Sequence, residues 1–398
     1  MPRWPSRAAV RGGQRRWPRR VIVGGASLLV LIVVVAVAVF LYARYRFDQI
    51  HKAKVAGLVA KAPGKPFDIL LVGSDSRSFV DSAAQAAAFG SKATQTGQRS
   101  DVIIVARIDP ATRQVKLLSI PRDTYVDIPG HVAYVSGPNR INVAFNSGPS
   151  LLVQTIEQTF HIPITYYAEV NFPGFAGMVD ALGGVYLDFR YPVRDAYSGL
   201  DVTTTGCQLV HGSQALALVR SRHLYYFENS QWNYDGLSDL SRIQRQDAFF
   251  RAVVSRLRGA VTNPLTLNSF LGAATKHVTI DQTLSEGELV SLARVFRSFN
   301  SSELATETLP TAPVTIAGQD VLAPVPGPDE QMIAKFLAFG ATTAAYVPPV
   351  PAARPTAAQL TAALVAPVTT LPGTPPPAPG GIDYNTQAEP WNPVPCTP

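Results

Sequence analysis

The sequence predicts an α/β domain in which helices flank a central β-sheet, preceded by one transmembrane helix and followed by a Pro-rich disordered tail. The prediction rests on an uncharged apolar run, alternating strand and helix patterns, and a charge-poor end rich in proline. We divide the chain into five segments: a basic cytoplasmic segment at 1–20, the transmembrane helix at 21–42, a juxtamembrane stalk at 43–65, the catalytic domain at 66–340, and the tail at 341–398.

The apolar run at residues 21–42 has the length of a bilayer crossing, about 20 residues. Phe40, Tyr42, Tyr45 and Phe47 end or follow this run, as expected for an interfacial aromatic belt. A cleaved signal peptide is the alternative, but its apolar region is typically shorter and ends in a small-residue cleavage site. We therefore expect an uncleaved single-pass anchor.

Charge predicts the orientation of this anchor. Seven arginines and no acidic residue precede it: Arg3, Arg7, Arg11, Arg15, Arg16, Arg19 and Arg20. A basic flank stays in the cytoplasm, so the domain is expected on the outer side of the cytoplasmic membrane. The seven arginines equal the whole excess of 35 basic over 28 acidic residues. The remaining chain is balanced in charge, which argues against nucleic-acid binding.

Cys207 and Cys396 are the two cysteines of the chain. Outside the cytoplasm we expect them to form a disulfide that ties the tail to the domain. Two unpaired thiols remain the alternative, since spacing does not establish geometry.

Three apolar strands open the domain, at residues 69–72, 102–106 and 115–120. If they run up, down and up as neighbours, the end of the first strand, the start of the second and the end of the third share one sheet edge. Six charged residues fall at that edge: Asp75, Arg77, Arg99, Asp101, Arg122 and Asp123. Acids beside arginines suit Mg²⁺ and a polyanion. A surface salt-bridge network is the alternative.

Helical patterns follow at six places, with strands at 166–170 and 185–189 between them. The helices are expected at 150–160, 172–182, 212–219, 238–257, 267–275 and 285–299. Arg220 and Arg222 would face the same way in an extended segment and call for an anion.

In the fourth helix, Asp239, Arg242 and Gln246 form one polar stripe with Arg245 to its side. An ordinary solvated helix face is the alternative. His131, His211 and His223 lack metal-ligand spacing, so no zinc site is expected.

Six ordered motifs resemble the LytR-CpsA-Psr family of cell-wall glycopolymer ligases over roughly residues 66–337. They are LVGSDSR at 71–77, RSD at 99–101, SIPRD at 119–123, RINVAF at 140–145, VDALGGV at 179–185, and RSR at 220–222 followed by 239–246. The resemblance implies a sheet flanked by helices, a polyprenyl chain in an apolar pocket, and its pyrophosphate at an arginine-rich mouth.

The resemblance also assigns residues. Asp75 and Asp101 match the family's Mg²⁺ ligands. The pyrophosphate-binding positions match Arg99, Arg122, Arg220, Arg222 and Gln246, while Asp239 and Arg242 match supporting positions of the same helix motif. To the pyrophosphate site we add Arg77 and also Arg140, which stands where the family often has lysine. Catalysis is assigned to Arg122, Asp101 and Asp123, the last acting either as a base or by orienting an arginine.

These features predict a Mg²⁺-dependent transferase that moves a glycopolymer from a polyprenyl-pyrophosphate carrier to peptidoglycan. The Pro-rich tail and basic N-terminus suggest an envelope of actinobacterial type, where arabinogalactan would be a natural donor; teichoic acid and capsule are the alternatives. The expected partners are the lipid-linked glycopolymer, the peptidoglycan acceptor and membrane lipid. Hydrolysis of the same diphosphate is one alternative. A non-catalytic lipid-glycan receptor or envelope regulator is another, because the same arginines bind a diphosphate without turnover.

Overall fold

The computed structural model describes residues 41–42, 44–74, 100–130, 138–237, 239–298, 304–340 and 389–397. The chain divides into two compact units, Met1–Gln49 and Ile50–Pro398. In the first unit, residues 44–48 are helical and the Arg46 guanidinium lies 5.7 Å from the centroid of the Tyr42 ring. No helix within the described residues is long and apolar enough to cross a bilayer. The predicted transmembrane helix at 21–42 lies outside them, apart from residues 41 and 42.

A mixed sheet of seven strands forms the centre of the described part of the second unit. Its order is β1 (His51–Ala53), β14 (Val278–Asp281), β7 (Tyr166–Asn171), β2 (Phe67–Ser74), β3 (Ser100–Asp109), β4 (Gln114–Ser119) and β15 (Ala305–Thr308). The predicted strands β2, β3 and β4 are antiparallel neighbours, while β7 lies parallel to β2 and β15 parallel to β4. The shared sheet edge is therefore confirmed for β3 and β4.

The central strands are buried on both faces, which is why they read as continuous apolar runs rather than as alternating patterns. Leu70 and Val105 belong to a core that includes Phe145, Phe160 and Phe336. Alternate residues on the same strands are also buried. Helices therefore cover both faces of the sheet, as predicted.

Seven α-helices lie in the described residues of the second unit, in addition to the 3-10 helix Ile141–Ser147. They are α1 (Pro149–Phe160), α2 (Phe172–Ala181), α3 (Gly212–Arg220), α4 (Asp239–Thr262), α5 (Pro264–His277), α6 (Glu286–Ser298) and α7 (Pro328–Ala338). The six predicted helices are confirmed. Helix α7 and the 3-10 helix were not predicted.

Smaller sheets surround the helices. Two of them have two strands each: β5 (Tyr125–Val126) with β6 (Asn139–Arg140), and β16 (Thr311–Ile316) with β17 (Gln319–Pro324). A three-stranded sheet has β8 (Val185–Phe189) between β11 (Gly206–Val210) and β18 (Val394–Pro395). A four-stranded sheet has the order β10 (Leu200–Val202), β9 (Val193–Asp195), β12 (Tyr225–Glu228) and β13 (Gln231–Tyr234). Only β8 was expected among them.

A close helix contact positions the start of α3. A Cβ added at Gly212 would lie 2.1 Å from the Ala176 carbonyl oxygen of α2, so no larger residue fits without movement. The Asp180 carboxylate also accepts a hydrogen bond from the Gly212 backbone N–H at 2.8 Å. The motif at 179–185 thus sets the packing of α3, in agreement with its expected structural role.

Two segments differ from the predicted boundaries. Residues 51–53, assigned to the stalk, form strand β1 beside β14. Val55 and Leu58 pack against the core that contains Leu70 and Val105. Such a short polar edge strand has no apolar alternation that would reveal it. The end of the tail is ordered at 389–397, where β18 pairs with β8, whereas residues 341–388 lie outside the described residues.

Candidate functional site

The edge where β3 begins and β4 ends carries a polar site. Arg122, just beyond β4, donates from Nη1 to Asp101 Oδ1 on β3. The two side chains are 20% and 21% exposed, so the pair is partly open to solvent at the sheet edge rather than buried in the core. Asp75, Arg77 and Arg99, predicted at the same edge, lie outside the described residues.

Asp123 is surrounded by arginines from three separate segments. Its carboxylate lies 3.4 Å from Arg122 Nε, 3.7 Å from Arg140 Nε and 4.0 Å from Arg222 Nη2. We call Arg122, Arg140 and Arg222 around Asp123 the arginine cluster. Because both carboxylate oxygens face guanidinium groups, Asp123 is placed to orient the arginines. This arrangement favours the orienting role over that of a base.

Backbone hydrogen bonds join the segments that carry Arg122 and Arg140. The Ile141 N–H donates to the Thr124 carbonyl at 2.8 Å, and the Asn142 N–H donates to the Arg122 carbonyl at 3.2 Å. Strands β5 and β6 pair Tyr125 with Arg140. Arg140 Nη2 also donates to the Asp320 carbonyl at 2.9 Å. The RIN motif at 140–142 therefore holds the backbone of Arg122 and places Arg140 beside Asp123.

The same edge offers oxygen donors suited to a hard cation. Asp101 Oδ1 accepts from Arg122, which leaves Oδ2 for another partner. The hydroxyls of Ser74 and Ser100, which pair across β2 and β3, are buried and have no hydrogen-bond partner among the described residues. Oxygen donors of this kind fit Mg²⁺, which keeps several waters and needs one or two carboxylates. No cluster of three acidic, histidine or cysteine side chains occurs within the described residues.

The prediction of an extended Arg220–Arg222 segment is wrong for Arg220, because α3 continues through that residue. Leu216, Leu218 and Val219 are buried, and this apolar packing extends the helix to Arg220. The Arg220 guanidinium lies 4.6 Å from the Phe172 ring centroid, which is cation–π distance. The side chains of the two arginines therefore have different neighbours: Arg220 lies against Phe172, and Arg222 lies near Asp123.

Asp195 of β9 holds the turn after α3 and was not predicted. Its Oδ2 accepts from Ser221 Oγ at 2.7 Å and from the backbone N–H groups of Arg222 at 3.0 Å and His223 at 2.9 Å. Burial opposes ionisation of this carboxyl, but the hydrogen bonds from Ser221 and the backbone outweigh it and lower the pKa of Asp195. Asp195 thereby fixes the backbone that carries Arg222.

The polar residues of α4 point into the protein, so a solvated helix face is excluded. Arg242 is 4% exposed, Arg245 0% and Gln246 7%. Gln246 Nε2 donates to the Val219 carbonyl at 2.9 Å, a contact that supports the α3 terminus. Helix α4 begins at Asp239, one residue after the predicted start at 238, and only the backbone of Asp239 is described.

Arg245, to the side of the stripe, is the most buried of these side chains. It donates to Asp235 Oδ2 at 3.0 Å, Asn392 Oδ1 at 2.8 Å and the Ser221 carbonyl at 2.8 Å. We call these groups the Arg245 network. It connects α4, the segment before α4, the end of the tail and the turn that carries Arg222.

The tail is fastened beside this network. Cys207 and Cys396 form a disulfide with a Cα–Cα distance of 6.0 Å, the pairing expected from the compartment. Trp391 stacks on Tyr226 with ring centroids 4.6 Å apart. The last described residues therefore form part of the support for the site.

The histidines do not form a metal site within the described residues. His211 Nδ1 lies 3.7 Å from Asp180, and the His223 ring lies 4.6 Å from the Tyr197 ring. His131 lies outside the described residues.

Comparison with known proteins now assigns the family. The model of the LytR_cpsA_psr family matches residues 41–335, most of the chain. The chain belongs to the LytR-CpsA-Psr family. It is 34% identical over 309 residues to the probable cell wall biosynthesis protein LcpB of Corynebacterium glutamicum, covering 76% of this chain and 68% of LcpB.

A second relative is the polyisoprenyl-teichoic acid–peptidoglycan teichoic acid transferase TagV of Bacillus subtilis. It is 28% identical over 277 residues, which cover 68% of this chain and 61% of TagV, less than two thirds of its length. The solved LytR-Csp2A-Psr enzyme from Actinomyces oris has the same fold, with a TM-score of 0.58 at 24% identity over 72% of this chain and 95% of that one.

Within this LytR-CpsA-Psr fold, the structure brings together Asp101, Arg122, Asp123, Arg140 and Arg222. It places Arg220 against Phe172 and Gln246 against the α3 terminus. Asp195 and Asn392 were missed. The sequence Asp-Ala-Tyr-Ser-Gly at 195–199 indicates a local turn, and Asp195 Oδ1 does accept from Tyr197 N at 2.9 Å, but nothing local reveals its bonds to residues 221–223.

Proposed function

We propose that this chain transfers a glycopolymer from a polyprenyl-pyrophosphate carrier to peptidoglycan. The arginine cluster beside Asp101 carries the proposal, because it gathers guanidinium groups from three segments at one edge of the sheet. Guanidinium groups bind phosphate oxygens through paired, charge-assisted hydrogen bonds. The names of LcpB and TagV, a cell wall biosynthesis protein and a teichoic acid transferase to peptidoglycan, support the same reaction class.

In the proposed reaction, an acceptor hydroxyl attacks the phosphorus that carries the glycan. A new oxygen–phosphorus bond forms while the bond from this phosphorus to the bridging oxygen breaks. The bridging oxygen leaves with polyprenyl phosphate, and the hydroxyl proton passes to water. The product is a phosphodiester between glycan and acceptor. Arg122, Arg140 and Arg222 would stabilise the negative charge that develops on the phosphate oxygens.

Asp101, together with Asp75, would hold Mg²⁺ in this proposal. Bound there, the cation would neutralise part of the diphosphate charge. The role of Asp123 is to keep the three arginines in position. Arg220 would contact the diphosphate from the α3 terminus, with Gln246 and Arg242 supporting that terminus from α4.

We also propose that residues 21–42 anchor the chain in the cytoplasmic membrane, with the N-terminus inside and the domain outside. An anchor keeps the arginine cluster near a lipid-borne donor and so raises the effective concentration of the donor. Arabinogalactan is the donor to test first, since LcpB belongs to a corynebacterium.

The test is incubation of the full chain with a polyprenyl-pyrophosphate oligosaccharide, Mg²⁺ and peptidoglycan fragments, followed by mass spectrometry of acceptor and lipid. We expect the acceptor to gain the sugar and one phosphate while polyprenyl monophosphate appears. Lipid cleavage with an unmodified acceptor would instead identify a hydrolase. Tight donor binding with no turnover would identify a receptor. An Arg122→Ala, Arg220→Ala double variant that retains ligase activity would contradict the proposed role of the arginines.

A further inference from the structure

The hairpin formed by β12 and β13 presents aromatic side chains to solvent. Register pairs Tyr225 with Tyr234 and Phe227 with Trp232, so all four rings project from the same side of the sheet. We call these four residues the aromatic face. Tyr225 is 40% exposed, Phe227 38% and Tyr234 47%, and Trp232 is half-buried. Single exposed apolar residues are ordinary, but four adjoining rings indicate an interaction surface.

The aromatic face is rigidly built. The ring centroids of the two cross-strand pairs are 5.2 Å and 5.3 Å apart, and the Arg194 guanidinium lies 3.9 Å from the Trp232 centroid. On the opposite side of the hairpin, Tyr226 stacks on Trp391. That opposite side already packs against the body of the protein, so the aromatic face is the side left for a partner.

The aromatic face is continuous with the candidate site. The Arg222 and His223 N–H groups bond Asp195, and β12 begins two residues later. At the other end of the hairpin, the Asp235 N–H donates to the Leu224 carbonyl at 2.8 Å, while the Asp235 carboxylate binds Arg245. The groups that position Arg222 therefore also hold the base of the hairpin. A ligand that lies along the aromatic face would therefore reach the turn that carries Arg222 of the arginine cluster.

The chemistry of the surface selects one type of ligand. Its charged neighbours are Arg194 and Asp201, which are paired in register and have opposite signs. Tyrosine hydroxyls and the guanidinium of Arg194 provide hydrogen bonds beside apolar ring faces. Hexopyranose rings combine apolar C–H faces with hydroxyl rims and carry no charge. They match this surface better than an anionic polymer or a lipid tail does.

We propose that the aromatic face binds the uncharged hexopyranose glycan strand of the acceptor and holds its attacking hydroxyl beside the arginine cluster. This inference rests on the proposed function, in which the donor is held by its diphosphate. The acceptor carries no comparable anionic group at its attacking hydroxyl, so it needs a separate surface. Two binding surfaces meeting at Arg222 would supply that orientation.

The first experiment measures binding without lipid donor or Mg²⁺. The full chain in detergent is titrated by calorimetry with a soluble chain of β-1,4-linked N-acetylglucosamine, which represents the acceptor glycan. The test variant is Tyr225→Thr, Tyr234→Thr, because threonine keeps strand propensity while removing both rings. Tyr225→Phe, Tyr234→Phe keeps the rings, and Leu265→Ala, at a site 79% exposed on α5, is the surface control.

We expect the threonine variant to bind the glycan at least about tenfold more weakly, in the range of an aromatic hot spot. The phenylalanine variant should lose about threefold or less, and the Leu265 variant should bind as the parent does. A thermal melt of each variant reports folding. Unchanged glycan affinity in a threonine variant that melts earlier would overturn the proposal and show that the pairs serve only the hairpin. No binding by the parent chain would overturn it as well.

The second experiment separates this inference from the proposed function. In the ligase assay, the threonine variant should raise the KM for acceptor by about tenfold and leave the KM for lipid donor unchanged. If the parent chain shows no transfer but binds the glycan through these rings, the proposed function fails and the glycan surface stands. Loss of binding to phosphatidylglycerol vesicles, with glycan binding retained, would assign the face to the membrane. A dimer that dissociates in the threonine variant would assign it to a second copy.

Discussion

The arginine cluster and the Arg245 network both involve the turn at residues 221–223, yet they use arginine differently. In the cluster, three partly exposed guanidinium groups converge on the carboxylate of Asp123, and Arg122 also donates to Asp101. In the network, one fully buried guanidinium is bonded by Asp235, Asn392 and a backbone carbonyl. The comparison teaches that excess positive charge near the surface marks a site for an anion, whereas a buried, hydrogen-bonded arginine marks its support.

Breaking the network should have the largest effect on stability. Replacing Arg245 with Met leaves the Asp235 carboxylate buried without its cation, and breaking a buried pair typically costs about 3–5 kcal/mol. We expect a loss of that size in the free energy of unfolding, measured by urea denaturation followed by circular dichroism. Asp235→Asn combined with Arg245→Met should recover part of the loss. A single variant as stable as the parent would show that the network does not support the fold.

Removing the disulfide that holds the tail should also weaken the Arg245 network, because Asn392 of the tail accepts a hydrogen bond from Arg245. Serine at both Cys207 and Cys396 removes a crosslink between residues 189 positions apart, and losing a disulfide typically costs about 2–4 kcal/mol. Denaturation in urea of parent and variant measures the difference. The parent treated with reductant is the matched control and should resemble the serine variant. Equal midpoints for all three samples would contradict a supporting role for residues 389–397.

Removing a cluster arginine should have the reverse profile, with a large loss of activity and little loss of stability. For Arg222→Ala we expect about a hundredfold lower turnover in the ligase assay, as for the loss of one group that stabilises transition-state charge. The unfolding free energy should change by less than about 1 kcal/mol, because the ion pair with Asp123 is long and partly exposed.

The matched control for Arg222→Ala is Arg251→Ala. Arg251 is an exposed residue of α4 that donates to Thr306 Oγ1 of β15 at 2.7 Å and does not belong to the arginine cluster. Its turnover should equal that of the parent. An Arg222 variant with normal turnover, or an Arg251 variant with an equal loss, would remove the distinction between the cluster and its surroundings.

Local patterns predicted the central strands, six helices and the charged sheet edge because each depends on apolar periodicity or on strand direction. Arg122 and Asp101 were expected at one edge for that reason, and they are bonded there. The burial of Arg245 was beyond local reasoning. It depends on Asn392, which lies 147 residues from Arg245 in a segment that reads as tail. Contacts at such separation leave no periodic trace in the sequence.

Asp195 bonds the turn that the two regions share, and its replacement should cost less stability than loss of the Arg245 network or of the disulfide. Five donors converge on its carboxylate: Ser221 Oγ and the N–H groups of Tyr197, Ser198, Arg222 and His223. In Asp195→Asn an NH₂ group must face some of these donors, so we expect a loss of about 1.5 kcal/mol at pH 7, as for a hydrogen bond to a charged group.

The pH dependence of the Asp195 variant sharpens this prediction. Because the pKa of the folded Asp195 carboxyl is lowered, the unfolded chain binds its proton first as pH falls. The stabilisation is therefore fully present above the ordinary pKa of an aspartate, about 4, and is lost as pH falls through the lower folded value. The difference in unfolding free energy between parent and Asp195→Asn should be constant from pH 7 to about 5 and shrink below about 4. A difference that persists undiminished at lower pH would show that the variant acts through the shape of the turn rather than through the carboxylate charge.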